Sequence, residues 1–142
     1  MDQPLEQILN LLLESERAGV AALDALTAQV DHADLKRLLR TSREDETADA
    51  AALEQLIRGA GGAPSPHTGP FAAKIAAAKT LRERLQLLIH GEEWVARKIE
   101  AALALAPPGG PIHDRLQAMA RRHRFEVEWG RAELIRLMDA LT

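Results

Sequence analysis

Six residues of this chain have types and spacings that point to chemistry: Glu16, Glu46, Asp49, Glu92, His123 and Glu126. Counted at 100° per residue, each interrupts an otherwise apolar stripe. Glu16 falls among Leu5, Leu9, Leu12, Val20, Leu23, Leu26 and Val30. Glu46 and Asp49 fall among Leu35, Leu39, Ser42, Leu53, Leu56 and Ile57. Glu92 divides Leu81, Leu85 and Leu88 from Val95, Ile99 and Leu103. His123 and Glu126 follow Leu116 and Met119 and precede Gly130, Leu134, Leu137 and Leu141. The neighbouring acids Glu14, Glu44 and Glu93 lie roughly 80–180° off these stripes and read as solvent-facing charge.

Five carboxylates and one imidazole converging in a core are costly, since an unpaired buried carboxylate loses several kcal/mol and like charges add to the loss. The cations at the stripe edges are Arg43 and Arg84, too few to neutralise five acids. Two outcomes satisfy the physics. Several carboxyls are protonated, or bonded to Arg43, Arg84, serines and water, in a polar core layer; or a cation comes from outside. A pair of divalent metals is the natural cation for an oxygen-rich, nitrogen-poor site inside a helical bundle. His32, His67, His90 and His113 fall in turns, loops or outward faces and carry no assigned role.

Positioning these residues requires four helices, expected over about 3–29, 32–58, 80–105 and 111–141. Asp2 is the expected cap of the first with Pro4 in its first turn, and Asp31 that of the second. Thr80-x-x-Glu83 reads as a capping box. GAGGAPSPHTGP, residues 59–70, is the clear loop, with a short helical piece expected from Phe71 to about Ala78. APPGGP, residues 106–111, is the second break. Tight turns make two antiparallel hairpins, and the 59–79 connection is long enough to cross the length of a helix of roughly 37 Å. The expectation is therefore one all-α domain over residues 1–142, two helical hairpins joined by one long crossover. Height agrees: Glu16 and Glu46 are centred on residue 31, and Glu92 and Glu126 on residue 109, both inside the turns. Each acid pair should sit level across its hairpin.

This pattern resembles the ferritin-like di-iron or di-manganese carboxylate superfamily, with its antiparallel four-helix bundle. That family carries one Glu on each of two helices and Glu-x-x-His on each of the other two. Glu16 and Glu92 match the single glutamates. Glu46-x-x-Asp49 matches one motif with Asp in the histidine place, and His123-x-x-Glu126 occupies the other with the types reversed. GGAPSPHTGPF and RLQLLIHGEEWVARKI resemble a bacterial branch of such domains. The resemblance implies a dinuclear iron or manganese site bridged by Glu46 and Glu126, with Glu16, Asp49, Glu92 and His123 as terminal ligands. It also implies reactivity toward dioxygen or peroxide, as an oxidase, peroxidase or oxygenase. One histidine in place of two favours manganese more than the usual pattern does. Iron binding or storage without an organic substrate, and a metal-free interaction or dimerisation module, are the alternatives.

Composition sets the outer limits. Charged residues make up 27%, hydrophobic ones 46% and aromatics 3%, a helical globular profile. The net charge of −3, with interleaved signs, argues against nucleic acid as a partner. No apolar run approaches a membrane span, and the first residues lack a basic leader, so a cytoplasmic location is expected. The absence of Cys and Tyr excludes disulfides, thiolate metal centres and a tyrosyl radical. Trp94 and Trp129 fall off the stripes and either pack under the crossover or anchor an interface. With Leu11, Leu13, Leu87 and Ile89 also off-stripe, a homodimer is expected. The Arg-rich ARRHRFE run reads as a solvated face.

Overall fold

Each long helix begins where a side chain can satisfy its free N–H groups. Asp2 accepts from the Leu5 amide at 3.3 Å, opening α1, Gln3–Gln29. The second helix, α2, spans Ala33–Gly59, and its cap is His32, whose Nδ1 accepts from the Leu35 amide at 3.4 Å. The expected cap Asp31 stands one residue too early, because the first helical residue is 33. At the end of α2, Gly61 takes φ +85°, the left-handed conformation that closes a helix at little cost for glycine. After α3, Phe71–Ala77, the Thr80 hydroxyl accepts from the Glu83 amide at 3.1 Å and starts α4, Leu81–Leu105. The Glu83 carboxylate in turn accepts from the Lys79 amide.

The fourth rod begins at Pro111, as expected, but is not one regular helix. It runs as α5, Pro111–Phe125, then a π-helical turn, Glu126–Gly130, then α6, Arg131–Leu141. A count at 100° per residue cannot register a local widening of the helix, so this turn was invisible to periodicity. The computed structural model describes residues 1–141; Thr142 and the side chains of Met138 and Leu141, the last of these an expected stripe position, lie outside the described residues.

Packing divides the bundle into two apolar clusters. One joins Leu9, Leu12 and Leu13 to Leu53 and Ile57 of α2, Ile99 of α4 and Leu116 and Met119 of α5. The other joins Leu23 and Leu26 to Leu35 and Leu39, Ile75 of α3, Leu85 and Leu88 of α4, and Leu134 and Leu137 of α6. Between the clusters every rod contributes polar residues: Glu16, Glu46 with Asp49, Glu92, and His123 with Glu126. The architecture is the expected all-α bundle, with α1 on α2 and α4 on α5 as neighbouring hairpin arms. Among the described residues there is no strand, and no helix is long and apolar enough to cross a membrane.

The crossover lies along a polar stripe of α1. Glu6 accepts from the Ala63 amide, Asn10 both donates to the Ala63 carbonyl and accepts from the Ser65 amide, and Arg17 donates to the carbonyls of Ser65 and His67. The Gly69 amide donates to the Glu14 carbonyl. The spacing of 6, 10, 14 and 17 keeps these anchors on one helical face. The wide apolar faces of α1 and α4 are partly consumed inside the chain, since Leu13 and Ile89 are buried. Trp94 packs on the first cluster with Lys98 over its ring, whereas Trp129 is 52% exposed and stacks on Phe125.

Asn10 holds loop backbone at both ends of its amide, so Asn10→Ala is expected to lower unfolding free energy by about 1–2 kcal/mol, measured by urea denaturation. Gly69→Ala, whose added Cβ stands at ordinary contact distance from Glu14 and Ala18, is expected to change it less.

Candidate metal centre

The polar layer is built from four rods meeting at one height. Glu16 and Asp49 are 1% exposed and His123 2%, and each offers a ligand atom within 4.8 Å of the other two. His123 Nε2 is 3.3 Å from Glu16 Oε1. Both oxygens of Glu16, both ring nitrogens of His123, Asp49 Oδ2 and Glu46 Oε2 are buried without a hydrogen-bond partner among the described residues. Burying so many donor atoms unpaired is unfavourable, and together they form an oxygen-dominated set with one imidazole, the kind that suits iron or manganese. The residues present therefore fit the metals that the fold family implies.

Glu46, Glu92 and Glu126 form the other side of the layer. They are electrostatically linked to each other and to Glu16 rather than gathered in the same three-residue group. Burial pushes the Glu46 carboxyl well above its ordinary range, and Glu16, Glu92, Glu126 and Asp45 push it further. Burial raises Glu92 to about 7, with His123 opposing and Glu16 adding to the shift. Glu126 is raised to about 9 by burial and by a hydrogen bond with Asp45, while Arg122 opposes. Room for Glu46 comes from Gly19, where an added Cβ would stand 2.6 Å from Glu46 Oε2.

Asp49 differs from the other acids because it already has cations. Arg115 donates to its Oδ1 at 3.4 Å and Arg122 pairs with the same oxygen. These arginines, not the expected Arg43 and Arg84, supply the compensating charge. Arg43 pairs with Asp24, and Arg84 donates to Gln29 and to the Ala78 carbonyl. Arg122 is adjacent to His123 in sequence, about 100° off the stripe, which made it look solvated. Its long side chain spans that angle, and the seven-residue spacing to Arg115 places both on one face. Asp45, equally one residue off the stripe, was missed for the same reason. Glu93, expected in solvent, is half-buried and pairs with Arg131 at 2.7 Å.

A family model described as Domain of unknown function (DUF6306) matches residues 3–133. No curated protein matches the chain. Among solved structures, a Bacillus anthracis str. Ames protein described as ferritin like, diiron-carboxylate superposes with a TM-score of 0.82 at 22% identity, over 96% of this chain and 99% of that one. The fold is thus the ferritin-like bundle.

Two outcomes follow for the metal-free chain. Arg115→Gln and Arg122→Gln are each expected to cost about 1–2 kcal/mol, because the other guanidinium still serves Asp49. The double substitution, leaving a buried charge unpaired, is expected to cost about 3–5 kcal/mol and to exceed the sum of the singles in a urea double-mutant cycle. The second outcome concerns pH. Folded Glu92 and Glu126 hold protons up to about 7 and about 9, against an ordinary 4.5 in the unfolded chain. Stability is therefore greatest below about pH 4.5 as far as these groups are concerned, and falls as pH rises through those two values. Melting temperatures across pH 5 to 10 measure it, and replacing Glu126 by Gln flattens the upper part of the decline.

Proposed function

The chain belongs to the DUF6306 family, and from that premise we propose that it is a metal-binding protein holding a carboxylate-bridged pair of iron or manganese ions in the layer between its two apolar clusters. The observation that carries this reading is the set of buried ligand atoms on Glu16, Glu46, Asp49 and His123 that have no hydrogen-bond partner among the described residues. Charge supports it as well. Ionised Glu16, Asp45, Glu46, Asp49, Glu92 and Glu126 against Arg115 and Arg122 leave four negative charges, the charge of two divalent cations. The superposed Bacillus protein is described as diiron-carboxylate, which supports a metal-binding reading of this fold.

In this reading Glu16, Asp49 and His123 would hold one ion and Glu92 the other, with Glu46 and Glu126 available to both. A bound pair of such metals supplies electrons to dioxygen or peroxide, which makes an oxidase, peroxidase or oxygenase the reaction class. The chain's own residues prepare the site. Glu46, Glu92 and Glu126 would give up their protons to a bound cation, Arg115 and Arg122 fix the orientation of Asp49, and His123 Nε2 stands beside Glu16. The arginine clamp on Asp49 and the high proton affinity of Glu126 favour one competing reading, a metal-free bundle neutralised by guanidinium and protons, serving as an interaction module.

Elemental analysis of protein grown with added iron and manganese separates the two. About two metals per chain are expected, with loss on Glu46→Gln. In the metal-free state the same substitution is expected to raise stability at pH 9, where it removes repulsion, so its two effects have opposite signs. A well-folded sample that takes up no metal after anaerobic iron(II) addition would overturn the proposal in favour of the interaction module.

A further inference from the structure

A cavity of about 250 Å³ opens beside the acid layer, between α2, α4 and the π-helical turn. Its walls are largely apolar, formed by Leu38, Leu39, Leu88, Phe125, Trp129 and Leu134, and Glu92 and Glu126 also line it. Phe125 and Trp129, 64% and 52% exposed, stack with ring centroids 6.2 Å apart, a pair that belongs to the outer wall. The volume exceeds the roughly 150 Å³ that admits benzene to an engineered apolar cavity, so it suits a single substituted ring or a branched chain of similar size.

Gly130 gives the cavity a second, independent argument. It is buried, lines the cavity and closes the π turn inside the fourth rod. Its φ is not positive, so the backbone does not demand glycine. A Cβ added there meets no atom within 4 Å among the described residues, so packing does not demand it either. Glycine weakens a helix interior relative to alanine. Here the missing side chain leaves space open in a cavity that Glu126 also lines. Elsewhere in the layer the opposite holds, since Gly19 is filled by the Glu46 carboxylate.

We propose that this cavity is the binding chamber for a small, uncharged organic molecule with an apolar body, held against the Glu92 and Glu126 side of the acid layer and admitted by the glycine at 130. As a substrate site it rests on the metal-centre reading; as a binding site it does not. Asp45, Glu92 and Glu126 on the walls disfavour an anion, and the six apolar side chains that make up most of the lining leave the lost hydration of an organic ammonium uncompensated, so an uncharged ligand fits best. The buried Nε of Arg122, unpartnered among the described residues, leaves one donor for a polar substituent.

The test is a fluorine-19 NMR titration of 4-fluorotoluene, 4-fluorobenzoate and 4-fluorobenzylammonium against the full chain, with metal content measured on the same samples. Saturable binding of 4-fluorotoluene alone is expected. Gly130→Ala should weaken it about tenfold, the effect of one methyl group in an apolar pocket, while raising the melting temperature. Gly130→Leu should abolish it. No saturable binding to wild type, unchanged binding in Gly130→Ala, or preference for either charged probe would overturn the chamber. If 4-fluorotoluene binds to wild type and weakens in Gly130→Ala in protein that takes up no metal, the chamber stands and the metal-centre reading fails. If metal is taken up without probe binding, only the chamber fails.

Discussion

The structure turns on the cost of burying carboxylates midway along a helical bundle. Apolar contact alone would have given one continuous core from Leu5 to Leu137. Instead the core is split, and the gap falls on all four rods at one height, at Glu16, at Glu46 and Asp49, at Glu92, and at His123 and Glu126. No single packing advantage compensates a buried, unpaired acid, so the two clusters must together stabilise the bundle enough to hold that layer in place. The stapling of the crossover to α1 and the close approach of Glu46 to Gly19 both serve to keep the rods in that register.

Neutralisation is distributed unevenly across the layer. Asp49 receives guanidinium, Glu126 keeps a proton to about pH 9, and Glu16 and His123 stand 3.3 Å apart with their polar atoms otherwise unpartnered among the described residues. Arginine is suited to Asp49 because it stays charged and reaches from an outward position with a long apolar stem. On the proposed reading, protons and divalent ions would compete for the remaining acids, so that occupancy by one requires release of the other.

Much of this was legible because it depends on period alone. The inward acids, their level placement and the crossover follow from residues three or four apart and from distances to two turns. What stayed hidden depends on reach or on local departure from the period. Arg122 and Asp45 sit about 100° from the stripe, yet Arg122 reaches Asp49 with a long side chain and Asp45 meets Glu126 of another rod. His32 caps α2 in place of Asp31 because capping depends on which residue immediately precedes the first helical one. The π turn at Glu126–Gly130 leaves the apolar spacing of the fourth rod intact at Leu134 and Leu137, so periodicity gave no sign of it.

The π turn also makes the layer asymmetric. Glu16, Asp49 and His123 are sealed on every side, whereas Glu92 and Glu126 face a cavity whose outer wall is two stacked, exposed aromatic rings. A charged species approaching from the other side would have to pass closely packed leucines or displace Arg115 and Arg122 from Asp49, at a high desolvation cost. The open side offers carboxylates that can take the charge as it enters. On the proposed metal-centre reading, exchange of protons for cations would therefore begin at Glu92 and Glu126 and end at His123, with Glu46, electrostatically linked to Glu16 as well as to Glu92 and Glu126, as the residue between the open and the sealed half.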